Sequence, residues 1–169
     1  MKNLGILLII ATAAVGVSNA NANINKSPSK LHTLKGEAPS GTNILSVEAV
    51  SPLPFNKSYA ALTDAQKEIV RSKYENLGVN DTPPFPSRGL KSIYAPVISV
   101  NKSLGKVGEL RLIATVDENG RVGNIVVKET PSKALSKRAI RSLKNASFDA
   151  ASCDGAPCEM TFPMAIKFQ

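Results

Sequence analysis

The chain has 169 residues, a net charge of +8, two cysteines, one histidine and no tryptophan. That length suits one ordinary domain with an appendage rather than two full domains, and the scarcity of aromatic residues calls for an aliphatic core. One histidine and two cysteines cannot supply the four ligands of a structural zinc site.

Residues 1–22, MKNLGILLIIATAAVGVSNANA, carry one basic residue, Lys2, then an apolar run from position 4 to 17, then Ala20-Asn21-Ala22. This is the layout of a secretory signal cleaved after an A-x-A site, and the run is shorter than the roughly 20 residues a membrane span requires. The mature chain is therefore expected in a compartment where disulfides persist. Nucleic acid is a poor partner there, while anionic lipid headgroups, envelope polymers and acidic proteins suit the positive charge.

Residues 23–60 mix Asn, Ser, Pro, Gly and Lys without a sustained apolar period and read as a flexible arm or linker. A short apolar piece, residues 44–50, could supply a strand. The third segment, residues 61–89, is a helix and a Pro-rich hinge. Thr63 and Gln66 have capping-box spacing, Ala65, Ile69, Val70, Tyr74 and Leu77 recur with helical period, and Gly78 stands as a C′ glycine, which predicts a helix over 64–77. The prolines of DTPPFPSRG then exclude both helix and central strand.

The last segment, residues 90–169, holds the domain. GELRLIATV alternates with Leu110, Leu112, Ala114 and Val116 on one face, and Asn119-Gly120 separates it from a second β-rich run at 122–129, a hairpin pattern. A helix follows, with Thr130 as N-cap, Pro131 at N1 and an apolar stripe of Leu135, Ala139, Ile140, Leu143 and Ala146. EMTFPMAIKF closes the chain as a strand. The expected fold is α+β, a small antiparallel sheet covered by one helix.

Cys153 and Cys158 flank Asp154-Gly155 and Pro157, a turn composition unlike the C-x-x-C that opens a helix in redox enzymes. A disulfide across that turn is the reading, stabilising by roughly 2 kcal/mol on the chain-entropy model. Lys133, Lys137, Arg141 and Lys144 recur at helical spacing on the domain helix, with Arg138 beside them and no acid in the stripe. Like charges at i, i+4 repel, so this face is a candidate for an anionic partner, against the plainer reading of a solvated lysine face.

The order of elements and the strings VDENGRVGNIVV at 116–127, ALSKRAIRSL at 134–143, FDAA at 148–151 and FPMAIKF at 162–168 together resemble the C-terminal domain of the TonB energy-transducer family. The Cys-x-Gly-x-x-Cys turn is similar to a variant of some members. The resemblance covers roughly residues 90–169. It implies a β-β-α-β fold, a periplasmic location and binding of outer-membrane TonB-dependent receptors or another envelope protein by strand addition, in which main-chain bonds supply affinity and alternate side chains supply choice. The implied edge is the closing strand, Met160, Thr161, Phe162, Met164, Ala165, Ile166 and Lys167. Force-transducing members keep an N-terminal anchor and a long Pro-rich spacer, and this chain departs from both features if residues 1–22 are removed. The alternative expectation is accordingly a soluble envelope scaffold using the same fold without force transduction. An open edge also permits pairing between two copies, so a homodimer is a further option.

No catalytic constellation emerges. The single histidine, His32, lies in the arm, no G-x-S-x-G occurs, and Arg121 stands where a calcium loop needs a ligand. The expectation is a binding protein without cofactor or metal.

Overall fold

A computed structural model describes residues 32–35 and 48–169. The expected signal at 1–22 and much of the arm at 23–60 lie outside the described residues. Two short strands, β1 (His32–Lys35) and β2 (Glu48–Ser51), pair antiparallel. They are followed by α1 (Asp64–Arg71), β3 (Phe85–Pro86), α2 (Lys91–Leu104), β4 (Gly108–Val116), β5 (Val122–Glu129), α3 (Lys133–Lys144), β6 (Phe148–Asp149), β7 (Ala151–Cys153), β8 (Ala156–Cys158) and β9 (Met160–Phe168).

The principal sheet has three antiparallel strands in the order β5-β4-β9. Alternation along β4 buries Leu110, Leu112, Ala114 and Val116, each at most 1% exposed, and β9 contributes Phe162, Met164, Ile166 and Phe168 to the same core. The helices α2 and α3 pack on each other and complete that core, with Ile93, Val97 and Ile98 from one and Leu135, Ala139 and Leu143 from the other. The fold is α+β with a small antiparallel sheet, but two helices cover the sheet where one was expected.

The unexpected helix is α2. Its N-cap position is Leu90, which makes no side-chain cap, and Pro96 lies inside it, so the backbone bond to the Ser92 carbonyl is missing. Neither its start nor its interior carries a local helix signal. What holds it is burial of Ile93, Val97 and Asn101 at a spacing of four. Asn101 is 2% exposed and fully used, its amide donating to the Lys106 carbonyl at 2.9 Å and its carbonyl accepting from the Lys106 N–H at 3.0 Å. This side chain fixes the turn into β4.

Several boundaries differ from the sequence reading. The capping box of Thr63 and Gln66 is present, yet α1 ends at Arg71 rather than at 77. The Arg71 guanidinium donates to the carbonyls of Gly78 and Asp81, drawing the following loop back over the helix end. Asn76, not Gly78, takes the left-handed conformation in that loop, while the Gly78 N–H donates to Asp81 Oδ2 at 2.9 Å. The cap of α3 is Ser132, whose hydroxyl accepts from the Leu135 N–H at 3.3 Å. Thr130 is spent earlier, its hydroxyl donating to the Ser132 carbonyl.

The Pro-rich hinge and the end of the arm are part of the core. Leu53, Phe55 and Phe85 are buried, β3 pairs with β6, and Thr82 and Ser152 exchange two backbone hydrogen bonds of 2.9 Å. Composition marked these segments as linkers, but Leu53 and Phe85, each between two prolines, and Phe55 after Pro54 are anchors.

The Asn119-Gly120 turn is longer than the two-residue hairpin its sequence suggests. Residues 117–121 form the loop, Asp117 Oδ1 accepts from the N–H groups of Asn119 and Arg121 at 2.9 and 2.7 Å, and only Gly120 has positive φ, at 74°. A Cβ on Gly120 would overlap the Phe148 carbonyl oxygen, so glycine is required by both conformation and close approach. The two-residue hairpin lies instead between β7 and β8. Asp154 and Gly155 both have positive φ, 51° and 83°, the signature of a type I′ turn. The Cys153–Cys158 disulfide crosses this hairpin with Cα atoms 5.8 Å apart. Asp81 ties it to the α1 loop by accepting from the Asp154 N–H at 2.9 Å.

Candidate partner-binding edge and basic pocket

The expected closing-strand site is β9, which lies at one edge of the sheet. It pairs with β4 through nine consecutive positions, from Val116 opposite Met160 to Gly108 opposite Phe168, without a register shift. Of the residues expected at the site, Phe162, Met164 and Ile166 point into the core, so a partner cannot read their side chains. Thr161, Ala165 and Lys167 are exposed, and Met160 is partly exposed.

The main chain of this edge is chemically uneven. The Tyr94 hydroxyl accepts a hydrogen bond from the Ala165 backbone, so the Ala165 N–H points away from β4. Backbone groups alternate in direction along an antiparallel pair. Residues 161, 163, 165 and 167 therefore direct their groups outward, while 162, 164, 166 and 168 serve the β4 ladder. Position 163 is proline, which falls on the outward side and costs the sheet no bond. The outward row offers four carbonyls, but Pro163 lacks an N–H and that of Ala165 is occupied. Only Thr161 and Lys167 present donors without a partner among the described residues.

Tyr94 reaches this edge from α2 and stacks edge-on with Phe55 at 6.0 Å. Burial pushes its phenol up to about 12, and the bond from Ala165 works in the opposite direction. Beside the second half of β9, Phe55, Tyr94, Lys73 and residues 165–167 line a cavity of about 350 Å³. Lys73 there is held below the ordinary lysine range by burial.

The basic stripe is divided by the fold. Lys133, Lys137 and Lys144 are exposed, whereas Arg138 is half-buried and joins Arg141 in the wall of a separate cavity with Arg88. Tyr94 and Arg88 were not legible as site residues. Both depend on α2 and the turn before it, where no local signal announces a structured element. Among the described residues no group of three or more His, Cys, Asp or Glu side chains is placed to hold a metal.

Residues 100–169 match the family model of the Gram-negative bacterial TonB protein C-terminal. That stretch is a TonB C-terminal-like domain. Among solved structures the chain is similar to the solution NMR structure of the Pseudomonas aeruginosa TonB CTD, at 20% identity and a TM-score of 0.41, covering 56% of this chain and 95% of that one. No curated protein matches the chain. The TonB C-terminal-like match begins within α2 and takes in β4, β5, α3 and β9, so both edges of the principal sheet and the arginines 138 and 141 belong to it. Arg88 and Tyr94 precede it. Members of this family are transducer and binding domains of the periplasm, and among the described residues no helix is long and apolar enough to cross a membrane.

Proposed function

We propose that the chain is a periplasmic binding protein that takes an extended segment of an outer-membrane receptor as an added strand on β9. The observation carrying this reading is the regular edge of β9, nine positions in unbroken register with its partner strand. An incoming strand would meet an acceptor-rich row, so it must bring N–H donors and avoid proline opposite residues 161–167. One of its side chains would enter the cavity beside Phe55 and Tyr94, which supplies choice in place of the buried β9 side chains. Mechanical coupling is a separate property that rests on residues 1–22. With a signal cleaved after Ala22, the mature chain begins at Asn23 and acts as a binding protein alone, a start that mass spectrometry of the purified chain reads directly.

The experiment that tests the edge is site-specific photo-crosslinking in intact envelopes, with the reactive residue at Thr161 or Lys167 and a control at Glu118 on the opposite hairpin tip. The reading expects an outer-membrane receptor captured from 161 and 167 but not from 118. Capture from Glu118 alone, or of no outer-membrane protein from either edge position, would sink it.

A further inference from the structure

Three guanidinium groups converge on one cavity. Arg88 from the turn before α2, with Arg138 and Arg141 from α3, line a space of about 320 Å³ together with Ser142, Asn145 and Ser147. No acid lines it. Among the described residues none of the three arginines has an ion pair or hydrogen bond, in contrast to Arg71, bonded to Glu68 and two loop carbonyls, and Arg111, bonded to Glu109 and Glu129. The Nε of Arg138 is closed off from solvent and still lacks an acceptor. Among the described residues the Tyr74 hydroxyl is likewise buried without a partner, but it lines no cavity of converging charges, whereas an unpaired guanidinium nitrogen at the wall of a charged cavity marks a missing acceptor.

A simpler role accounts for only one of the three. Arg141 sits in the last turn of α3, where a cation offsets the helix dipole. Arg138 lies mid-helix and Arg88 comes from a different segment, so the dipole explains neither. The cavity is also not a helix N-terminal anion site, because the first N–H groups of α2 are already spent on Phe55, Gly89 and Leu90 carbonyls.

We propose that this pocket binds a phosphate group carried as a phosphomonoester. Planar guanidinium forks match the oxygens of phosphate two at a time, and a dianion balances three cations far better than a single carboxylate would. Ser142, Ser147 and Asn145 add neutral donors around the remaining oxygens. The Ser92 hydroxyl, also in the wall, already donates to the Gly89 carbonyl at 2.8 Å and is not counted among them. The proposal does not depend on the β9 edge.

The test titrates the full mature chain with inorganic phosphate, followed by NMR. Saturable shifts are expected, focused on signals from residues 88–92 and 138–147. Arg138→Gln should weaken binding at least about tenfold, and Arg88→Gln, at an exposed position, does the same should the first variant fold poorly. A triple variant Lys133→Gln, Lys137→Gln, Lys144→Gln should stay within about threefold, because a bound group contacts the pocket and not the stripe. Glycerol phosphate and phosphatidylcholine vesicles carrying phosphatidic acid then separate the sources. Binding of the soluble ester alone assigns a soluble ligand, and binding of both assigns a headgroup that the pocket also accepts at a membrane. Non-saturating shifts with phosphate, equal loss in the triple lysine variant, or binding to vesicles without binding to phosphate would each overturn the pocket and leave a diffuse basic surface.

Discussion

The strands β9 and β5 flank the same central strand, yet they are protected in different ways. β9 keeps perfect register with β4 but has lost donors from its outer row, one to Pro163 and one to Tyr94. β5 contains no proline, but its pairing with β4 breaks register twice, between Arg111 and Leu112 and between Ala114 and Val116. Exposed strand edges invite uncontrolled pairing, and proteins blunt them with prolines, charges or bulges. Here one edge is blunted by chemistry and the other by shape. A chemically blunted edge still accepts a strand of matching chemistry, whereas a bulged edge accepts only a strand that repeats its irregularities.

The largest effect that would disturb this contrast is expected at Gly120, in the loop that feeds β5. Gly120→Ala places a Cβ against the Phe148 carbonyl and forces a left-handed φ. Strain of these two kinds should destabilise the fold by about 3 kcal/mol, measured by urea denaturation. Hydrogen exchange should loosen β5 amides before those of β9. A loss below about 1 kcal/mol would show that the loop and β6 separate freely, and that the shape of the β5 edge is not anchored there.

High pH acts on the other edge. All three tyrosines, Tyr59, Tyr74 and Tyr94, are raised above the ordinary phenol value of 10.0, in each case chiefly by burial. Above pH 10 the unfolded chain releases phenol protons that the native chain retains, so ionisation favours the unfolded state. Stability from Tyr94 is thus complete below pH 10 and declines as pH rises toward about 12, by about 3 kcal/mol at most. Lys73, lowered by burial, works with the opposite sign up to the ordinary lysine value of 10.5 and is constant beyond it. The net fall should therefore steepen above pH 10.5, and Tyr94→Phe should flatten it. An unchanged slope in that variant would mean the phenol does not face a closed environment beside Ala165.

A smaller effect follows from the donors themselves. Each main-chain hydrogen bond contributes about 0.5–1.5 kcal/mol net. Pro163→Ala returns an outward N–H to β9 and should tighten binding of an added strand about two- to tenfold. Thr161→Pro removes a donor and should weaken it by a similar factor. Both are read by calorimetry with the captured receptor segment. If the pair moves affinity in the same direction, the changes act through strand twist and the donor account is wrong.

The legibility of these features follows the range of the interactions behind them. α3 and the three long strands announce themselves through period and turn residues, because their buried faces are written in consecutive positions. α2 does not, since its start lacks a cap and its interior holds Pro96. Only the core it meets makes it helical. Pro163 was visible in the closing strand, but whether its missing N–H faced the sheet or solvent depends on register with β4. Tyr94 and Arg88 became site residues only because α2 exists. The disulfide was readable from Asp154-Gly155 between the cysteines, where turn chemistry and covalent chemistry agree. By the same logic Asn119-Gly120 misled, since a longer loop held by the Asp117 carboxylate displaced the two-residue turn.

The smallest expected effect is the most discriminating between the edges. Val126 lies on β5, is 42% exposed and stands opposite Ile113 of β4. Val126→Lys should change stability by no more than about 0.5 kcal/mol, and it adds the kind of charge that guards an edge strand. With the partner strand on β9, binding should be unchanged, because β4 separates the two edges. A clear loss of binding in a variant of full stability would transfer the site to β5. The bulged edge would then be the functional one, and the donors missing from β9 would be purely protective.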